Sequence, residues 1–295
     1  MTIVKKIRHI ARRFWNFRML ESMLSRLPET IYIRWIRVAY RFGTGRAPAR
    51  DVYFGLGENG LWVVKERGEL LSIPSYRRSP RYLKDGIPGV KRRLISRYFP
   101  DTSKRECLKG ATVVDIGANI GEFSLACLDY GATRIVAIEP DDIPFKCLRD
   151  NLGRRAPNSI LKKALVSDKP GRTLFYHSTR TADSSLIVPD EYTETSELNA
   201  TTIDELVASE SIVIDLLKVE AEGAEPEVLR GASNVLREQS PYVTVRASCE
   251  RQGKSTFDDC ERILTDLGYI CLRAGDGYQL LAVKPEQIPA GSILK

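Results

Sequence analysis

An α/β fold with a mainly parallel sheet is what this sequence predicts, and three observations predict it. Residues 112–116 form an apolar run, Gly117 and Gly121 punctuate a turn, and 123–130 follow a helical pattern, which together read as strand, tight turn and helix. A second apolar run at 134–138 ends in Glu139. From there onward strand-like and helix-like stretches alternate, the pattern of a parallel sheet covered by helices on both faces.

Taken in chain order, residues 1–110 read as a basic extension and 111–295 as the main domain. The first part carries 25 Lys and Arg against 9 Asp and Glu, a balance of +16; the second carries 20 against 29, a balance of −9, and the sum is the net +7 of the chain. Such an extension favours an anionic partner: a membrane surface, a phosphorylated substrate or nucleic acid. Ile3, Ile7, Ile10, Phe14, Phe17 and Leu24 recur at helical spacing, with Lys5, Lys6, Arg8, Arg12 and Arg13 largely off that stripe. A basic amphipathic helix of this kind can lie on a membrane, but it more often packs on its own protein or on a second copy. Residues 1–42 are therefore candidates for a homodimer contact or a peripheral membrane contact.

The segment 31–42, IYIRWIRVAYRF, reads as a second packing helix. Between 52 and 73, short apolar runs broken by Gly55, Gly57, Gly60 and Gly68 predict a small β-hairpin or meander around LGENG and ERGE. After Pro74 a basic stretch containing Tyr82, Val90, Leu94 and Tyr98 is helical in its later part and leads into the first core strand. From there it could cover a ligand cleft. Arg92, Arg93 and Arg97 could reach an anion in it, although a solvated helix face is the commoner role for such residues.

The turn at 117–121 specifies the ligand. Glu139 follows it by about twenty residues, where a carboxylate at a strand end can accept both hydroxyls of a ribose. The dinucleotide fingerprint needs three glycines so that backbone can approach a pyrophosphate, yet Asn119 takes the second glycine position. Asp115, at the strand end, would be poorly placed beside phosphate. S-adenosylmethionine carries a sulfonium, an ammonium and a carboxylate but no phosphate. Acidic groups suit it, and backbone N–H groups of the turn can take its carboxylate.

Further strands are expected near 160–166, 212–219, 242–248, 269–273 and 278–284, with a short extra one at 171–177. Ligands of open α/β sheets bind beyond the carboxyl ends of the strands. Four such ends carry polar groups: Asp115 to Asn119, Glu139 to Asp141, Ser167 with Asp168, and Lys218 with Glu220 and Glu222. The candidate cofactor residues are thus Asp115, Gly117, Ala118, Asn119 and Gly121 for the amino acid end, Glu139 and Asp141 for the ribose, and Ser167 or Asp168 for the adenine amino group. Asp168, ahead of Lys169, Pro170 and Gly171, is equally an ordinary turn residue.

VVDIGANIGEFSL, AIEPD, ALVSD, DSSL at 183–186, TTIDEL at 201–206 and IDLLKVEAEGAEPEVLRGA at 214–232 together resemble the FkbM-type methyltransferases over 111–272. The family's fourth strand typically ends in LLKIDVEGAE. The resemblance maps its Lys to Lys218 and its acidic strand-end residue to Glu220, where Asp is usual, and Glu222, Gly223, Ala224 and Glu225 match the rest. It implies a class I methyltransferase fold, Rossmann-like, with a seven-stranded mainly parallel sheet whose last strand is antiparallel. It also implies S-adenosylmethionine as cofactor and methylation of a hydroxyl, often on a sugar or polyketide.

Methyl transfer asks a substrate oxygen to attack in line from about 3 Å, and an alcohol needs a base to take its proton. Three residues are candidates. Glu220 and Glu222 would share a face with Lys218 if the strand continued, although Glu220 could instead form a salt bridge to Lys218 or cap the helix near Ala224. His177 follows the short strand, and histidine is the usual side chain for a base, although a surface or strand-capping role is commoner; His9, in the amphipathic segment, does not suit the role. A magnesium or calcium site from Glu220, Glu222, Glu225 and Glu250 matches no dedicated loop spacing, so no metal is expected.

Six cysteines, Cys107, Cys127, Cys147, Cys249, Cys260 and Cys271, form no C-x-x-C pair and read as reduced thiols. There is neither a run of about 18 apolar residues nor a secretory h-region. The expectation is a cytoplasmic enzyme, in reach of the inner face of a membrane, that methylates a glycan, glycolipid or polyketide, the acceptor being a small molecule, a glycan or a lipid-linked group, with an anionic one compatible with the basic extension. The alternatives are a nucleic-acid methyltransferase, for which only the basic extension speaks, and a non-catalytic assembly module on the same fold.

Overall fold

The computed structural model describes residues 20, 23–24, 27–177, 184–188, 192–248, 251 and 253–288. The amphipathic stretch before residue 20, His9, Asp183, Cys249 and Glu250 lie outside them. Two compact units emerge, 1–90 and 91–295, so the division falls twenty residues before the expected 110. Helix α3 (Gly86–Tyr98) runs across this point, and within the second unit its Lys91 pairs with Asp129 at 2.6 Å.

In the first unit, helix α1 (Glu29–Thr44) precedes an antiparallel meander of β1 (Val52–Leu56), β2 (Trp62–Glu66) and β3 (Glu69–Ile73), then α2 (Pro80–Leu83). This is the meander that the glycine-punctuated runs predict. Arg67 and Gly68, with φ 49° and 87°, close the β2–β3 hairpin in the doubly left-handed two-residue turn that matches strand twist. Tyr32, Ile36 and Tyr40 of α1 bury against Leu83, and the Arg37 guanidinium donates to the carbonyls of Ala49 and Val52.

The second unit holds a seven-stranded sheet. In chain order its strands are β4 (Thr112–Ile116), β5 (Arg134–Ile138), β6 (Ile160–Lys162), β10 (Leu216–Val219), β11 (Tyr242–Arg246), β12 (Ile270–Ala274) and β13 (Gln279–Val283), arranged β12-β13-β11-β10-β4-β5-β6. Strands β4, β5, β6, β10 and β11 are parallel, while β13 runs antiparallel to β11 and β12. That order and the single reversed strand are those of the class I methyltransferase fold. Helices α4 (Glu122–Asp129), α5 (Asp142–Arg155), α6 (Ile203–Glu210), α7 (Glu225–Arg230), α8 (Ser233–Glu238) and α9 (Phe257–Asp266) connect the strands. Strands buried on both faces need apolar residues throughout, which is why the runs at β4, β5 and β10 were legible.

Two strand expectations are corrected. The run 160–166 is not one strand: β6 pairs with β5, then the chain crosses to β7 (Leu165–Val166), which joins β9 (Glu194–Thr201) and β8 (Gly171–His177) in a separate three-stranded sheet. The run 212–219 pairs only from Leu216. Ahead of it side chains supplement the backbone bonds of Asp215, with the Asp215 carboxylate accepting from Thr112 N–H at 2.8 Å and the Gln239 side chain from Ile214 N–H at 2.8 Å.

The TTIDEL motif is structural. Thr202 and Glu205 form a reciprocal capping box on α6, and the Asp204 carboxylate accepts from the N–H groups of Asn234 and Val235, fastening α8. Among the described residues no helix is long and apolar enough to cross a membrane, and no cluster of three or more His, Cys, Asp or Glu could hold a metal ion.

Candidate active site

The turn after β4 holds three left-handed residues, Gly117 (φ 68°), Asn119 (φ 50°) and Gly121 (φ 84°). Asn is among the few residues other than glycine that enter this region readily, so Asn119 keeps the turn conformation where a fingerprint glycine would stand. Gly117 is required on a second count. A Cβ there would lie 1.9 Å from the carbonyl oxygen of Glu220, so the loops after β4 and β10 meet backbone to backbone.

The amides of this turn are already used. Gly117 and Ala118 N–H donate to Ile138 O, Asn119 N–H to the Glu139 carboxylate at 2.8 Å, Ile120 N–H to the Asn119 side chain at 2.9 Å, and Gly121 N–H to Ala118 O. The expectation that these N–H groups take a ligand carboxylate is corrected accordingly.

Asp115 is also placed differently from expectation. It is fully buried, accepts from the Ser124 hydroxyl at 2.7 Å and pairs with Lys218 Nζ at 2.9 Å, so it does not face open space. The geometry of strand pairing accounts for this, because Asp115 and Lys218 are register partners on β4 and β10. Lys218 is 2% exposed. Its ammonium donates to the carbonyls of Ile116 (3.0 Å) and Gly117 (2.9 Å) and lies 3.7 Å from Glu220. Burial opposes its charge, but Asp115 and Glu220 outweigh burial and raise its pKa above the ordinary lysine value. A buried charge must be paired to persist. The charge of Asp115 is thereby compensated.

Glu139, at the end of β5, is nearly buried. One carboxylate oxygen accepts from Asn119 N–H and the other from Asp141 N–H at 2.9 Å, which leaves further lone pairs for a ligand's hydroxyls. Burial pushes its pKa up to about 7 against the lowering effect of those two N–H bonds. Glu220, at the end of β10, has the opposite balance. Burial would raise its pKa, yet Lys218, the hydrogen bond from the Tyr98 hydroxyl, and Arg97 at 3.9 Å hold it below the ordinary value. Tyr98 is itself fully buried, its ring edge-on to Phe123, and burial together with Glu220 raises its pKa well above the ordinary value.

Glu222 does not share a face with Lys218 and Glu220. Strand β10 ends at Val219 and Glu222 sits in the following turn with φ 50°. Glu225 organises that turn: its carboxylate accepts from Ala221 N–H (2.9 Å), Gly223 N–H (3.1 Å) and the Thr256 hydroxyl (2.7 Å).

Residues 184–185 connect the two strand ends. The Ser184 hydroxyl donates to Asp141 at 3.2 Å, and the Ser185 hydroxyl donates to the Glu222 carbonyl at 2.7 Å. His177, at the end of β8, has Nε2 2.8 Å from the Ser196 hydroxyl and Nδ1 3.9 Å from Asp141. The structure thus gathers Gly117, Asn119, Glu139, Asp141, His177, Glu220 and Glu222 around the ends of β10, β4 and β5. Ser167 and Asp168 make contacts elsewhere. They follow β7 of the second sheet, where the Ser167 hydroxyl donates to Asp168 and the Ser167 carbonyl packs on Gly231, just past the far end of α7.

Lys218, read from the sequence as a strand-end group and a partner for Glu220, is a lone cation within the apolar run LLKV and sits 3.7 Å from that carboxylate. Tyr98, read there only as part of the helix that could cover the cleft, reaches Glu220 from 122 residues away, a contact with no trace in the sequence.

The family model described as Methyltransferase FkbM domain matches residues 115–271, more than half of the chain. A curated relative, the ribosomal protein L11 methyltransferase of Tolumonas auensis, is 36% identical over 63 residues, 21% of this chain and 22% of the relative. Among solved structures the chain is similar to the methyltransferase FkbM of Methylobacillus flagellatus KT, with a TM-score of 0.47 and 19% identity over 89% of this chain and 57% of that one. It is also similar to the magnesium protoporphyrin IX methyltransferase of Synechocystis PCC 6803 with bound SAM, with a TM-score of 0.38 and 11% identity over 67% and 77% of the two chains. This chain spans less than two thirds of the length of the L11 relative and of the Methylobacillus protein.

Proposed function

The chain belongs to the FkbM methyltransferase family and is an S-adenosylmethionine-dependent methyltransferase; from that premise we propose that it methylates a hydroxyl of a glycan, glycolipid or polyketide acceptor. One observation carries the assignment of the site. Three neighbouring strand ends, β10, β4 and β5, set Glu220 and Glu139 on either side of the Gly117 turn. Glu139 suits the ribose hydroxyls, with Asp141 beside it. Glu220, held ionised, suits the positive end of the cofactor, which supplies an electrophilic methyl group.

The residues of the chain then have three tasks. The 184–185 segment, fastened to Asp141 at one end of the site and to the Glu222 carbonyl at the other, shields the reacting groups from water. Glu220 is a poor base because its pKa is lowered, so it orients the acceptor hydroxyl rather than deprotonating it. His177, with Asp141 facing Nδ1, is the group that takes the proton.

Calorimetric titration with S-adenosylmethionine tests the site: the wild-type chain binds, and Glu139→Ala weakens binding by roughly tenfold or more. No binding by the wild type would remove the assignment. The acceptor class is tested with radiolabelled methyl donor and hydroxyl-bearing glycans, where an alkali-stable ether is expected. Label recovered as a base-labile ester or on nitrogen overturns the hydroxyl reading. If His177 is the base, His177→Gln abolishes the acidic limb of the kcat/KM profile, whereas Glu220→Gln retains it.

A further inference from the structure

Helix α1 is apolar on two faces, and among the described residues only one of them is packed. Tyr32, Ile36 and Tyr40 are buried in the core of the first unit. On the other face Ile31, Trp35, Val38 and Phe42 recur at i, i+4, i+7 and i+11 and are 41%, 51%, 38% and 76% exposed. A run of four large apolar side chains at this spacing forms one continuous stripe, unlike the scattered exposed residues of an ordinary surface. At 100° per residue, Arg34 and Arg41 lie about a quarter turn from the stripe's centre, both along the same edge, and both are exposed.

Charge decides what such a face meets. Residues 27–50 contain five arginines and one acidic residue, Glu29, and the whole unit 1–90 has 18 Lys and Arg against 7 Asp and Glu, a balance of +11. A second copy would bring like charge against like. A surface of anionic lipid instead offers phosphate to Arg34 and Arg41 and an acyl boundary to the stripe beside them, and Trp is a side chain that favours this boundary. Arginine suits the edge position because its stem covers apolar surface while its head reaches the phosphates.

We propose that α1 is a membrane-surface helix, lying in the headgroup plane of an anionic bilayer with Trp35 and Phe42 inserted and Arg34 and Arg41 on lipid phosphates. The inference is independent of the acceptor and of the roles given to the strand-end residues.

The test is co-sedimentation of the full chain with sucrose-loaded vesicles, either phosphatidylcholine alone or phosphatidylcholine mixed with phosphatidylglycerol. Binding is expected to the mixed vesicles and to weaken with salt. The double variant Trp35→Ser with Phe42→Ser should partition about a hundredfold less, since each removes a side chain whose burial is worth a factor of about ten. Arg34→Gln with Arg41→Gln should lose roughly tenfold at low salt and less at high salt. Unchanged melting temperature and unchanged cofactor titration in both variants establish that the fold is intact.

Three results overturn the proposal. The first is wild type staying in the supernatant with mixed vesicles; the second is both variants binding as wild type does, which moves the contact to another basic segment; the third is wild type sedimenting as a dimer that Phe42→Ser dissolves without any vesicle binding, which makes the stripe a contact between copies.

Discussion

The loops after β4 and β10 each fold around a buried glutamate. Glu139 accepts the N–H groups of Asn119 and Asp141, and Glu225 accepts those of Ala221 and Gly223; burial pushes both pKa values up to about 7. Their surroundings differ in one respect. Glu225 is fully enclosed and its second oxygen is occupied by the Thr256 hydroxyl, whereas Glu139 keeps 7% exposure at a strand end. A perturbed pKa alone therefore does not separate a ligand-binding carboxylate from a structural one. The geometry of the donors and the residual exposure do.

The largest effect comes from breaking the contact between the two loops. Gly117→Val drives a side chain into the Glu220 carbonyl at a left-handed position, so a cost on the order of 4 kcal/mol or more is expected. Cofactor titration should then show no saturable site, and the urea midpoint should fall steeply. A wild-type midpoint with intact cofactor binding would mean that the loops do not meet as described.

Lys218→Met comes next. It removes the cation that lies between the loops and strands Asp115 without a counter-charge, which costs about 3–5 kcal/mol for a buried pair. Adding Asp115→Asn should recover part of the loss, because the uncompensated charge rather than the missing contact dominates it. Denaturant unfolding of the two variants and their combination measures this directly, and strict additivity would refute the pairing.

The raised carboxylates also fix a pH dependence. A glutamate whose ordinary pKa is 4.5 and whose folded pKa is about 7 binds more protons folded than unfolded between those values. Its stabilising contribution is full below 4.5 and is lost as pH rises through 7, at about 1.4 kcal/mol per unit, or roughly 3 kcal/mol for the whole window. Unfolding free energy measured at several pH values from about 5 to 8 should therefore decline. In Glu225→Gln, which does not titrate, the decline should be shallower by somewhat less than that amount.

How much of this was open to sequence reading depended on the range of each interaction. The seven-stranded sheet was legible because strands buried on both faces must be apolar throughout, as at TVVDI, RIVAI and LLKV. The three-stranded sheet was half hidden because β9, ETSELNAT, is polar and buries little of either face. Gly117 and Glu139 could be found because turn chemistry and strand-end position are local properties. The Tyr98–Glu220 bond and the Ser185–Glu222 bond could not, since they join residues 122 and 37 positions apart with no periodic trace. The run 160–166 reads as one strand for a related reason: a crossing between sheets at 163–164 leaves no break in the pattern.

The smallest effect discriminates best between the two glutamates. In Glu225 one oxygen accepts both N–H groups and the other faces the Thr256 hydroxyl, which can accept as well as donate. Glutamine fits there with its carbonyl toward the amides and its NH2 toward Thr256, so Glu225→Gln should change stability near pH 6 by less than about 1 kcal/mol. In Glu139 each oxygen accepts a different N–H, so glutamine must set its NH2 against one of two donors in either orientation. Glu139→Gln should then cost about 1–3 kcal/mol in unfolding free energy. It should also weaken S-adenosylmethionine binding, whereas Glu225→Gln leaves the affinity within about threefold. Equal effects of the two substitutions on both measurements would show that the loops do not differ in the way their donors imply.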